Sequence, residues 1–125
     1  MNINDLSYQV RGAIFNVYNE LGPGLFESVY EAALTFELKS MGFQVVTQLG
    51  VPVIYKDVRL DLGFRLDILV ENMLIVEIKS VEFLHNVHKK QLLTYLRLSD
   101  KKLGILVNFN TSKLVDKESI VRVIN

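Results

Sequence analysis

The chain contains no cysteine, which excludes disulfide staples, thiol nucleophiles and cysteine-ligated zinc together. It also has no apolar run approaching the ~18 residues of a membrane-spanning helix. Its start, Met1-Asn2-Ile3-Asn4-Asp5, carries neither the basic nor the apolar region of a secretory signal. A cytoplasmic protein without membrane association is therefore the expectation. Neither sign of charge is in excess, because 14 basic and 14 acidic side chains balance to zero. That balance argues against a protein that coats nucleic acid through bulk electrostatics.

Apolar side chains are plentiful, at 50% of 125 residues, enough for one domain around a single core and too few residues for a second. The charges are unevenly spread. Residues 1–78 hold five basic and ten acidic side chains, residues 79–102 hold six and two, and residues 103–125 hold three and two. Lys79, Lys89, Lys90, Arg97, Lys101 and Lys102 form the basic segment. They could receive phosphates, although a solvated helix face is the commoner origin of such a run.

Leu6, Val10, Ile14, Val17 and Leu21 recur at helical spacing and predict a helix over Asp5–Leu21, capped by Asn4 or Asp5. Gly22-Pro23-Gly24 breaks it, and a second helix is expected from about Phe26 to Met41, closed by Gly42. From Gln44 to Val81 the pattern becomes β-branched and alternating, with turn signals at Lys56-Asp57 and Glu71-Asn72. It predicts an antiparallel meander over 44–55, 58–70 and 73–80, with a break at Gly63. A third helix over Asn86–Ser99 follows, its apolar face expected at Val87, Leu92, Leu93 and Leu96. Lys102–Phe109 suits a strand buried on both faces, and Ser119–Ile124 a last strand that could serve as a pairing edge. The order ααβββαββ indicates an α/β sandwich around a mixed central sheet, with the third helix as a parallel crossover.

Within that frame Asp67 and Glu77-Ile78-Lys79 interrupt apolar strands with charge. Alternation puts Arg65 and Asp67 on one face and Leu66 and Ile68 on the other, and likewise pairs Glu77 with Lys79. Asp67 can face Glu77 only if opposed residues have numbers summing to 144. A two-residue turn at Glu71-Asn72 breaks that parity, so a three-residue loop over 71–73, or a bulge, is expected. Two adjacent carboxylates repel and lack donors, a conflict that a divalent cation resolves. Mg²⁺, with Mn²⁺ able to substitute, would bind such hard oxygens, polarise a phosphodiester and activate water. Lys79 would stabilise developing negative charge or help deprotonate that water, and Ile78 could add a backbone carbonyl ligand.

The structural alternative is an ordinary cross-strand ion pair, worth roughly 0.2–1 kcal/mol. Likewise Glu27 could simply complement a helix N-terminus, worth roughly 0.3–1 kcal/mol. Gln91 and Tyr95 share a helix face at i and i+4, with His88 near the same side, where it could touch substrate. His85 and His88 alone make a poor zinc pattern.

These positions together resemble the PD-(D/E)XK nuclease superfamily, and specifically its GxxExxY family in the RecB-like branch. The residues that carry the resemblance are Gly24-Leu25-Phe26-Glu27-Ser28-Val29-Tyr30, Arg65-x-Asp67, Glu77-x-Lys79, His88-x-x-Gln91-x-x-x-Tyr95 and Leu106-Val107-Asn108-Phe109-Asn110. Leu66 stands where the superfamily's name has proline. The resemblance implies a restriction-endonuclease-like fold, Glu27, Asp67 and Glu77 at a metal, Lys79 in catalysis, and Gln91 and Tyr95 in support. Tyr30, Arg65 and His88 join the supporting or substrate-binding set.

The leading expectation is a Mg²⁺-dependent nuclease acting on DNA, with RNA open as a substrate. A non-catalytic nucleic-acid-binding or assembly module is the alternative, and a purely structural Glu77–Lys79 ion pair is a third. A homodimer or larger protein complex is compatible with so small a domain.

Overall fold

The helical period at the N-terminus resolves, in the computed structural model, into α1 (Ile3–Leu21), capped by the Asn2 side chain, which accepts from the Asp5 N–H at 2.9 Å. The cap thus lies two residues before the expected Asn4, which leaves Ile3 inside the helix. The structure describes residues 1–125, apart from the side chain of Leu62. Next come α2 (Glu27–Ser40), β1 (Val45–Tyr55), β2 (Val58–Val70), β3 (Leu74–Lys79), α3 (Asn86–Ser99), β4 (Leu103–Asn108) and β5 (Ile120–Ile124).

The five strands form one sheet in the order β1-β2-β3-β4-β5. All neighbours are antiparallel except β3 and β4, which run parallel because α3 crosses between them. Helices cover both faces. Leu6, Val10 and Ile14 of α1 and Tyr30, Leu34 and Leu38 of α2 pack on Ile68, Val76, Ile78, Ile105 and Val107. Leu92 and Leu96 of α3 pack on Leu66, Leu69, Ile75, Leu106 and Val121. β4 is therefore buried at every residue, as its unbroken apolar run requires. Gly104 has no side chain to keep Leu92 away, and a Cβ there would lie 2.9 Å from that leucine.

Val87 does not join the apolar face of α3 and is 64% exposed. Five residues from Leu92 is about 140° around a helix, well off the stripe that Leu92 and Leu96 define. The expected break at Gly63 is a register shift between Val51 and Val53 on the facing strand. A Cβ on Gly63 would stand 1.9 Å from the Val51 carbonyl oxygen, so only glycine permits that approach.

The β2–β3 hairpin has Ile68 opposite Val76, Leu69 opposite Ile75 and Val70 opposite Leu74. Its loop is the three residues 71–73, with Glu71 and Asn72 both left-handed at φ 52° and 54°. The register brings Asp67 and Glu77 to the same level just beyond the last paired residues.

Candidate active site

Alternation fails at one place in β2, and the failure positions Asp67. Leu66 points into the α3 layer whereas Ile68 points into the α1/α2 layer, although both were expected on one face. The facing strand turns over at the same level, where Gln48 has φ 51°. Gln48 lies between Thr47, paired with Ile68, and Leu49, paired with Leu66. A left-handed residue turns its strand, and β2 follows to keep the pairing. Asp67 is thereby aimed along the sheet, at β3.

The β2–β3 ladder ends there, and carboxylates replace its backbone bonds. The Ile78 N–H donates to Asp67 Oδ2 at 2.8 Å, and the Asp67 N–H donates to Glu77 Oε1 at 3.2 Å. Glu77 is only 6% exposed. Burial, then the charge of Asp67 and side-chain hydrogen bonding to it, push the Glu77 carboxyl up to about 9, against opposition from the Asp67 N–H and then from Lys79. At neutral pH without a cation it is therefore protonated, as expected of two carboxyls in one dry site.

Lys79 is two residues along the same strand, half-buried, with its carbonyl accepting from the Phe109 N–H at 3.0 Å. Among the described residues no carboxylate lies within the 4 Å of an ion pair with Lys79; the two ion pairs are Arg11–Asp116 and Arg59–Asp61. The purely structural Glu77–Lys79 pair is thus not what the fold builds. Next along the chain, the Ser80 N–H donates to Glu27 Oε2 at 3.0 Å and its hydroxyl to the Leu25 carbonyl at 2.7 Å. These bonds join the first turn of α2 to the end of β3. Asn108 anchors the following residue, accepting from the Val81 N–H at 3.1 Å and donating to its carbonyl at 2.9 Å.

A cleft of about 260 Å³ opens over this point, lined by Glu27, Ser28, Glu31, Gln48, Asp67 and Ile78. Gln48 Nε2 donates to Glu31 Oε1 at 2.6 Å and to Asp67 Oδ1 at 3.4 Å. Sequence reasoning missed Glu31, Gln48, Ser80 and the Asn108 anchor. Glu31 was discoverable, one helical turn after Glu27 on the same face, but Gln48 has no local signal at all. Arg65 is exposed and donates to the Gln48 carbonyl at 3.3 Å, bracing the left-handed residue.

Tyr95 is half-buried and stacks on Phe64 with ring centroids 4.2 Å apart. Its hydroxyl is raised by burial and then by the charges of Glu77 and Asp67, which places it on the α3 side of the pair. Burial and then the charge of Lys79 lower the pKa of His88, whose Nδ1 accepts from the His85 N–H at 3.0 Å. Gln91 is exposed on α3. Tyr30 is wholly buried, stacked on Phe109 at 4.3 Å. Its hydroxyl donates to the Gly22 carbonyl at 2.6 Å and accepts from the Leu25 N–H at 3.2 Å. It holds the loop that delivers Glu27, and substrate cannot reach its ring.

The sequence model of the PD-(D/E)XK nuclease superfamily matches residues 4–123, which spans every element from α1 to β5. The chain belongs to the PD-(D/E)XK nuclease superfamily. No curated protein and no solved structure matches it. Its mixed sheet between helices is the restriction-endonuclease-like fold, and the superfamily makes the function nuclease-type. No described helix is long and apolar enough to cross a membrane.

Members of this superfamily generally use divalent metals. Among the described residues no three His, Cys, Asp or Glu side chains converge as a ready metal cluster. The donor chemistry nevertheless suits a hard cation, because Glu27 and Asp67 line the cleft with carboxylate oxygen and the buried Glu77 carboxyl is bonded to the Asp67 N–H beside it.

Proposed function

We propose that this PD-(D/E)XK protein is a divalent-metal-dependent nuclease that hydrolyses phosphodiester bonds of DNA, and that it belongs to the GxxExxY family within the RecB-like branch. One observation carries the reading: Asp67 and Glu77 meet where the β2–β3 ladder opens, and Glu77 is held there buried and costly to ionise. A structural carboxyl at that position would serve better as an amide or an apolar side chain. Glu27, Asp67, Glu77 and the Ile78 carbonyl would hold the metal, with Mg²⁺ the natural occupant and Mn²⁺ a substitute. A bound cation supplies charge to polarise the phosphodiester and lowers the pKa of a water.

The protein's own groups do the rest. Asp67 is oriented by the Ile78 N–H, and Glu27 by the Ser80 N–H. Lys79, not committed to a carboxylate, is available to neutralise charge that develops on the phosphate or to hold a proton near the attacking water. Tyr95, Gln91, His88 and Arg65 support the walls of the site from α3 and β2.

A non-catalytic nucleic-acid-binding or assembly module is favoured by one feature, namely that the carboxylates bond backbone amides and no three ligands converge among the described residues. Mn²⁺-dependent cleavage of labelled single-stranded DNA, duplex DNA and RNA separates the two readings. Cleavage by the wild type that is lost in a folded Lys79→Ala variant is the expected result. No wild-type cleavage of any substrate would move the assignment to the binding module.

A further inference from the structure

Two aromatic side chains stand uncovered within three residues, along the chain, of Glu27 and Ser80, whose hydrogen bond closes one end of this site. Phe26, immediately before α2, is 83% exposed, and Phe83, in the segment after β3, is 66% exposed. Neither is on a loose segment. Phe26 lies between Leu25 and Glu27, both of which accept hydrogen bonds from Ser80. Phe83 follows Val81, whose N–H and carbonyl are both held by the Asn108 amide. Both rings are therefore exposed on backbone tied to the junction between Glu27 and the end of β3, and Phe83 also lines a neighbouring cleft with Asn108, Asn110 and Thr111.

The same junction carries a cation, because Lys79 ends β3. Acidic groups are here too, Glu27 and Glu82 at the rim and Asp67 and Glu77 within, so phosphate would be attracted only once a cation offsets them. Phenylalanine offers a nucleic acid no hydrogen bond. It offers an apolar face, which an unpaired base can stack on and a base-paired duplex, its faces already stacked, cannot use.

We propose that Phe26 and Phe83 form a stacking platform for unpaired bases, which makes single-stranded nucleic acid the substrate class of the site. The inference rests on the nuclease reading above for the purpose of the site. It is tested apart from that reading by binding rather than turnover. Anisotropy of labelled oligo(dT), oligo(U) and a fully paired two-strand duplex is measured in Ca²⁺ with the wild type, Phe26→Ala, Phe83→Ala, and the Leu and Trp variants at each position.

Each alanine should weaken single-strand binding roughly tenfold or more while leaving duplex binding unchanged, given about 1–3 kcal/mol per stacked base. Trp should restore binding and Leu should not, since leucine keeps apolar area but has no π-face. The two single-stranded probes show whether sugar identity matters. Alanine variants that bind single strands like the wild type, leucine variants that bind fully, or a wild type that prefers the duplex would each overturn the platform. Phe-dependent single-strand binding with no Mn²⁺-dependent cleavage would overturn the catalytic reading and keep the platform.

Discussion

Replacing Glu77 with glutamine should make the metal-free protein more stable at neutral and alkaline pH while abolishing cleavage. In the folded state burial and Asp67 raise the Glu77 carboxyl from an ordinary 4.5 to about 9. A raised folded pKa means that the group's stability is fully present below pH 4.5 and is lost as pH climbs towards 9, because the unfolded chain releases the proton first. Each pH unit across that window costs about 1.4 kcal/mol, hence roughly 3 kcal/mol at pH 7 relative to acid. Glutamine carries no such penalty. Its carbonyl can still accept from the Asp67 N–H, and its amide can donate to the Asp67 carboxylate as the protonated acid does.

The assay is thermal unfolding in EDTA across the same window for both proteins. The two curves should meet near pH 4.5 and separate as pH rises, reaching roughly 10 °C at pH 7 if about 3 kcal/mol translates at a few degrees per kcal/mol. Groups common to both proteins cancel in the difference. Adding Mn²⁺ should then stabilise the wild type and leave the glutamine variant little changed, since binding to the folded state alone raises stability by mass action. Parallel curves, or a variant less stable at every pH, would refute the view that Glu77 is held against its ionisation.

Tyr30→Phe keeps the ring stack on Phe109 but removes the hydroxyl shared by the Gly22 carbonyl and the Leu25 N–H. It should cost about 1–3 kcal/mol by urea unfolding and raise the Mn²⁺ concentration needed for activity, because the loop that sets Glu27 loosens. Gly63→Ala would drive a Cβ to 1.9 Å from the Val51 carbonyl, and should lower the midpoint of thermal unfolding and open the outer β1–β2 hairpin to hydrogen exchange.

The sequence by itself determined the succession of elements, because periods of 3.6 and 2 are properties of adjacent residues and are largely independent of what packs on them. It also narrowed the ways Asp67 could meet Glu77 to a three-residue loop over 71–73 or a bulge, and the structure builds the loop. What it could not determine depends on groups far apart in the chain. The turnover of β2 at Asp67 requires the left-handed Gln48 of the neighbouring strand, which inverts the expected face of Leu66. Tyr30 belongs to the best-marked motif in the sequence, yet only Phe109, Gly22 and Leu25 closing around it make it a buried brace.

Val87 shows the same division in reverse, an apolar residue in a helical segment that the tertiary arrangement leaves exposed. Glu77 states the physical reason most plainly. Its carboxylate type was legible, but its protonation is decided by lost hydration and by a second carboxyl ten residues away, and those exist only once the fold has closed around it.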